Sequence, residues 1–237
     1  MTGVKGPTRS LAWPGLVVLA AGLLAAAPAG AGPSPDQVAA GLAARYGRLE
    51  TLSAAYRRVA VTTAASEKVF KSSSQQVATG VLYWSRPARL LLDQVSPQPE
   101  VMVTDGSTVW WHVPAENLVY RYRNVDVAGE LKPLLALLGG LDALTVAFDL
   151  APAPAEPARP GQSGLRLTPR DGERLVDHLA VWCDENFTLT GFGLTSLTGE
   201  TTDFFLNGLT ENPSLDKALF AFRPPRGAEV IEEENDL

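Results

Sequence analysis

Two histidines, a single cysteine and a few paired acids are the side chains in this sequence that could do chemistry. His112 and His178 fall on separate strand-like segments, with no cysteine pair nearby. A zinc site needs its ligands clustered at short, regular spacings, so none is expected here. No Gly-x-Ser-x-Gly elbow and no phosphate loop occur. Gly191-Phe192-Gly193 sits within a strand pattern and lacks the third glycine of a dinucleotide fingerprint. Asp184-Glu185 reads as solvated charge in a turn. Cys183 shares strand parity with Leu175, Leu179 and Val181, which predicts a buried, inert thiol. With one cysteine there is no intramolecular disulfide. The expectation is a protein with no catalytic residue, no metal and no cofactor: not an enzyme.

Composition narrows the class further. The 237 residues are 46% hydrophobic and carry a net charge of −6. Lys5 and Arg9 precede an apolar run, Leu11–Ala27, and small residues at Ala27-Pro28-Ala29 and Ala29-Gly30-Ala31. That order of parts predicts a signal peptide over 1–31, removed on secretion. The run is short for a spanning helix and holds Pro14, Gly15 and Gly22, which disfavours a retained anchor. Loss of Lys5 and Arg9 takes the charge from −6 to −8. An acidic surface cannot neutralise phosphates, so nucleic acid is not expected as a partner.

Gly80–Gly106 sets the architecture. It reads as three short strands: Val81–Trp84, then Leu90-Leu91-Leu92 after the Arg86-Pro87 break, then Val101-Met102-Val103 before Asp105-Gly106. Asp-Gly between alternating apolar runs predicts a hairpin with a type I′ turn. Upstream, Ser34-Pro35-Asp36 predicts a helix start, and Val38, Leu42, Tyr46 and Leu49 give it an apolar stripe. From Ser53 the period becomes 2, with Ala54, Tyr56 and Arg58 on one face. Residues 62–76 read as a polar loop. Downstream, Trp110 and Trp111 point to opposite faces, and Leu118, Tyr120 and Tyr122 alternate with Arg121 and Arg123. Residues 130–144 break the pattern: Lys132-Pro133 opens a helical turn, Leu134–Leu138 is apolar on every side, and Gly139-Gly140 stops it. Two readings stay open there, a buried core helix or a lid over an apolar cavity. Strands then follow at Thr145–Leu150, Leu165–Thr168, Leu175–Cys183, Thr188–Leu197 and Thr201–Leu206. Prolines 152, 154, 157 and 160 fill the loop after the first of these. Leu219–Phe222 reads as the last strand and Glu232–Leu237 as a frayed acidic tail. The sum is about eleven short antiparallel strands in a barrel or strongly curved sheet, one domain over 33–237. A greasy concave face would select acyl chains by burial alone, about 0.8 kcal/mol per methylene.

The block Gly80-x-Leu82-Tyr83-x-x-Arg86-Pro87, followed by Val103-x-Asp105-Gly106-x-x-x-Trp110, resembles the periplasmic outer-membrane lipoprotein carrier family, LolA. Further pieces keep the family's order: Ala54-x-Tyr56-x-Arg58, Pro133-Leu134-Leu135, Leu165-x-Leu167-x-Pro169 and Phe220-x-Phe222-x-Pro224-Pro225-x-Gly227. The resemblance implies a half-open β-barrel with a helical lid over an apolar cavity. It also implies a periplasmic carrier of acylated lipoproteins. The carrier takes them from an inner-membrane ABC transporter to an outer-membrane acceptor, as a monomer and without a cofactor. On that reading Leu82, Trp84, Leu90, Leu92, Met102, Trp110 and Phe148 line the cavity. Leu131, Leu134, Leu135 and Leu138 form the lid helix, and Arg86 latches it through backbone carbonyls. This sequence departs from the family at three places: Tyr83 stands where Trp is usual, Arg58 replaces a Gln, and Leu90 and Leu92 replace aromatics. No cysteine follows the signal, which is unlike the lipid-anchored acceptor of the same fold. The alternative of the same fold is a lipid-binding or envelope-stress-sensing module. A hydrolase would need a nucleophile and base that cannot be named.

Overall fold

A helix begins the described part of the chain because its first turn is capped from both sides. In the computed structural model, which describes residues 32–64, 72–122, 138, 144–153, 161–170 and 176–233, helix α1 spans Pro35–Tyr46. Ser34 Oγ accepts from Gln37 N and the Gln37 side chain accepts from Ser34 N, a complete capping box with Pro35 behind it. Its apolar stripe of Val38, Ala39, Leu42 and Tyr46 is buried.

Twelve strands follow: β1 (Thr51–Ala64), β2 (Ser72–Ser85), β3 (Arg89–Ser96), β4 (Glu100–Thr104), β5 (Val109–Val113), β6 (Leu118–Tyr122), β7 (Phe148–Pro152), β8 (Ser163–Pro169), β9 (His178–Cys183), β10 (Leu189–Thr195), β11 (Thr201–Glu211) and β12 (Glu229–Glu233). A one-turn helix α2 (Leu144–Ala147) precedes β7. All twelve belong to one sheet in the order β12-β6-β5-β4-β3-β2-β1-β11-β10-β9-β8-β7. Every pairing is antiparallel except β12 with β6. The sheet is not closed, since β12 and β7 end it without pairing to each other. That fits the half-open barrel.

The sheet has two distinct faces. Inward parity on β1, β2, β3, β8, β9, β10 and β11 places Leu52, Tyr56, Leu82, Trp84, Leu90, Leu165, Val181, Phe192 and Phe204 in one apolar cluster. α1 supplies Val38, Leu42 and Tyr46 to the same cluster, so the helix lies within the curve of the sheet. We call this the concave face. A second, smaller cluster covers the opposite side of β3–β5: Leu91, Val103 and Phe220, with Tyr83, Trp110 and Phe222 against them.

Several expectations need correction. Residues 62–76 are not all loop, because β1 runs to Ala64 and β2 starts at Ser72. The hairpin pairs polar side chains, such as the hydroxyls of Thr62 and Ser74. These carry no hydrophobic alternation to read. The Asp105-Gly106 hairpin forms, but Thr104 pairs with Val109, leaving four residues in the connection rather than a two-residue type I′ turn. Asp105 Oδ1 organises it, accepting from Ser107 N, Ser107 Oγ and Thr108 N. Burial works against the Asp105 charge, yet these donors hold its carboxyl below the usual range. Thr145–Ala147 is helical, and β7 starts at Phe148. Lys217–Phe220 is a 3-10 turn and no strand, and the last strand is β12, further on. Residues 154–160 and 234–237 lie outside the described residues.

Candidate functional site

The concave face gathers most of the nominated side chains. Leu82 pairs with Leu92, and Trp84 with Leu90, across β2–β3; Leu92 pairs with Met102 across β3–β4. Leu82 and Trp84 are fully buried and Leu90 is 1% exposed, so the face is covered and not open to water. Leu92 is buried too, and Met102 and Phe148 are half-buried against the same cluster. Phe148 reaches it from the far edge of the sheet, where β7 pairs with β8.

Trp110 is the exception. It pairs with Val103 and packs in the smaller cluster on the convex side, against Phe222. Trp111, one residue on, shares the register position of Met102 and stacks on Tyr120. The physical reason is the segment 213–222, whose Leu215, Phe220 and Phe222 cover the convex side of β3–β5. That cover makes both faces of β5 apolar, so composition alone does not say which tryptophan points inward.

Of the four lid leucines, Leu138 is described. It is helical, 1% exposed and part of the main cluster. Leu131, Leu134 and Leu135 lie outside the described residues.

Arg86 holds the end of α1. Its Nε donates to Leu49 O at 2.9 Å and an NH2 group to Gly47 O at 3.4 Å, while its backbone N donates to Glu50 O at 2.9 Å. The guanidinium thus sits at the C-terminal end of a helix, where the dipole favours a cation. It also lies 5.8 Å from the centroid of the Trp84 ring. Arg45 ties the same helix to β11 and to the β9–β10 turn, through Glu211 Oε1 at 2.6 Å and Asn186 O at 3.1 Å. Tyr46 OH accepts from Leu189 N at 2.8 Å. Sequence reasoning gave α1 an apolar face but not its place against the concave face of the sheet.

A linked set of polar groups lies on the concave face at one end of β1–β4. Arg58 shares the parity of Tyr56 and donates to Gln94 Oε1 at 3.2 Å; Gln94 in turn donates to Gln98 O. Glu100, across from Gln94, accepts from Trp111 Nε1 at 3.0 Å. Burial pushes the Tyr56 phenol up to about 12 despite the Arg58 cation nearby. The alternation Tyr56-x-Arg58 was legible; the glutamine beneath it was not.

The groups that could do chemistry are elsewhere or bound up. Asp177 Oδ2 meets His178 Nδ1 at 2.7 Å, and His178 Nε2 meets Thr195 Oγ1 at 3.2 Å. Both ring nitrogens are thus engaged, and His178 ties β9 to β10 on the convex side. Cys183 is buried, and burial with Asp184 beside it pushes its thiol up to about 11. Among the described residues no group of three His, Cys, Asp or Glu side chains could hold a metal ion.

The described residues thus form an open, curved sheet whose concave face is apolar and covered by a tethered helix. A family model described as outer membrane lipoprotein carrier protein LolA matches residues 63–223, and the chain belongs to that family. It is 31% identical over 160 residues to an outer-membrane lipoprotein carrier protein of Chromohalobacter salexigens, covering 67% of this chain and 72% of that one. It is 27% identical over 199 residues to one of Hahella chejuensis, covering 82% and 93%. A crystal structure of a LolA superfamily protein from Nitrosomonas europaea aligns with 80% of this chain and 98% of its own, at 9% identity and a TM-score of 0.40.

Proposed function

We propose that this protein is a periplasmic carrier that takes the acyl chains of lipoproteins onto its concave face and moves them from the inner to the outer membrane. The supporting observation is the contiguous apolar cluster on that face, closed by a helix held through a few polar tethers, in a chain of the lipoprotein carrier family. Each methylene that a cargo buries there contributes about 0.8 kcal/mol, so three chains bind tightly with no directional chemistry. The carrier must also release, and weak tethers such as the Arg86 bonds set how readily the face opens. On this reading residues 1–31 are a cleaved signal, 33–237 form the single carrier domain, and no step is catalytic. Arg86 also latches the 131–138 helix. The donor is an inner-membrane ABC transporter and the recipient an outer-membrane acceptor.

The test is transfer in vitro. Mature protein added to spheroplasts should release a newly acylated lipoprotein as a soluble complex and pass it to outer-membrane vesicles. Arg86→Leu should stay folded and load, yet pass on its cargo poorly. Normal onward transfer by that variant removes Arg86 from the latch role.

A second reading, a carrier of anionic lipids, draws support from Arg58. It is a cation on the concave face whose side chain donates to the neutral Gln94. Co-purified phospholipid in place of lipoprotein would select it.

A further inference from the structure

The indole of Trp84 carries a donor with nothing to donate to. The residue is fully buried in the concave cluster, and its Nε1 has no hydrogen-bond partner among the described residues. Its cross-strand neighbours are Leu52 and Leu90, each 1% exposed and neither an acceptor. The other concave tryptophan, Trp111, has its donor satisfied by Glu100. Trp182 Nε1 is also unpartnered, but Trp182 lies on the convex side, in register with Gly164 and Gly191. A buried N–H without an acceptor is costly, and an aromatic ring without a donor would avoid that cost. Such a group in a native interior calls for an explanation, and a bound ligand supplies one.

We propose that Trp84 is a specificity-determining donor: its indole N–H hydrogen-bonds an ester or amide carbonyl at the head of an acyl chain held on the concave face. This rests on the carrier reading above. Hydrocarbon alone binds by burial and cannot use the N–H. An acylated cargo brings a carbonyl where each chain joins its head, and that oxygen would satisfy the donor when the face opens and closes again over the chain. Arg86, with its guanidinium 5.8 Å from the same ring, links the occupied donor to the tether at the end of α1.

Two ligands of equal chain length isolate the carbonyl: monopalmitoyl glycerol, an ester, and 1-O-hexadecyl glycerol, the matching ether. Titration calorimetry on the mature protein should show the ester bound about 3- to 10-fold more tightly, the value of one neutral hydrogen bond. Trp84→Phe should bind both equally, at the ether's affinity. In the wild-type protein labelled at indole nitrogen, the Trp84 N–H proton should move downfield with the ester and stay in place with the ether. That readout stands even where the variant fails to fold. Equal wild-type affinities, an ester preference that survives Trp84→Phe, or an unmoved indole proton each overturns the role of Trp84 and leaves the carrier reading standing. Binding of neither ligand overturns both.

Discussion

Asp203 is a half-buried carboxylate on the convex side of β11, in register with Gly193 and with His178 near it. Burial raises its pKa to about 6, and His178 pulls the other way without prevailing. The folded state therefore binds this proton more tightly than the unfolded chain does. That contribution is full below the ordinary carboxylate range and is lost as pH rises through about 6. Asp203→Asn removes the penalty, so the unfolding free energy from urea titration should be ~1 kcal/mol higher for the variant at pH 7.5, after allowance for solvent screening, and should converge with wild type only below the ordinary carboxylate range, at about pH 3. An equal gain at both values would place the effect in packing, not in charge. Residues of this kind were not legible in the sequence. Asp203 reads there as one acid in Thr201-Thr202-Asp203, and only the register opposite Gly193 and the stacked rings of Trp182 and Phe205 beside it show why it is desolvated.

At the scale of elements, α1 is the part on which the concave face depends. Leu42 is fully buried in the main apolar cluster, so Leu42→Ala should cost ~2–5 kcal/mol in chemical denaturation. Val230→Ala, on the edge strand β12 and 41% exposed, should cost well under ~1 kcal/mol. Similar losses at the two sites would contradict the placement of α1 in the core. The start of α1 and the β2–β4 meander could be read directly, because capping chemistry and period-2 alternation are local signals. The length of the β1–β2 hairpin could not, since Thr62-Thr63 on one strand and Ser72–Gln76 on the other carry no hydrophobic alternation. Nor could β12: Val230 and Ile231 are flanked by Glu229, Glu232 and Glu233, and the strand exists through pairing with β6, where Glu232 meets Arg121 at 2.9 Å. Charge on an edge strand also discourages pairing with another chain. Trp110 failed for a related reason. The segment that makes the convex side of β5 apolar lies about a hundred residues downstream, beyond the reach of any local pattern.

Over the whole molecule, one curved twelve-stranded sheet carries a single main core, and that core is also the surface on which cargo would sit. α1 covers that face, with Arg45, Tyr46 and the Arg86 contacts as discrete tethers to the sheet. Alternation made the run of short antiparallel strands legible, whereas the half-open barrel and the set of Leu82, Trp84, Leu90 and Leu92 came with the family resemblance; the four do share one face of the sheet. The place of α1 over that face was not legible, because it depends on tertiary contacts to carbonyls that carry no side-chain signature. Native mass spectrometry of the mature protein recovered from its own periplasm tests the central claim most directly. A bound lipoprotein, retaining its diacyl or triacyl mass, is the predicted result. A protein recovered empty that also fails to take up an apolar fluorescent dye would contradict it, and would make the concave cluster ordinary core.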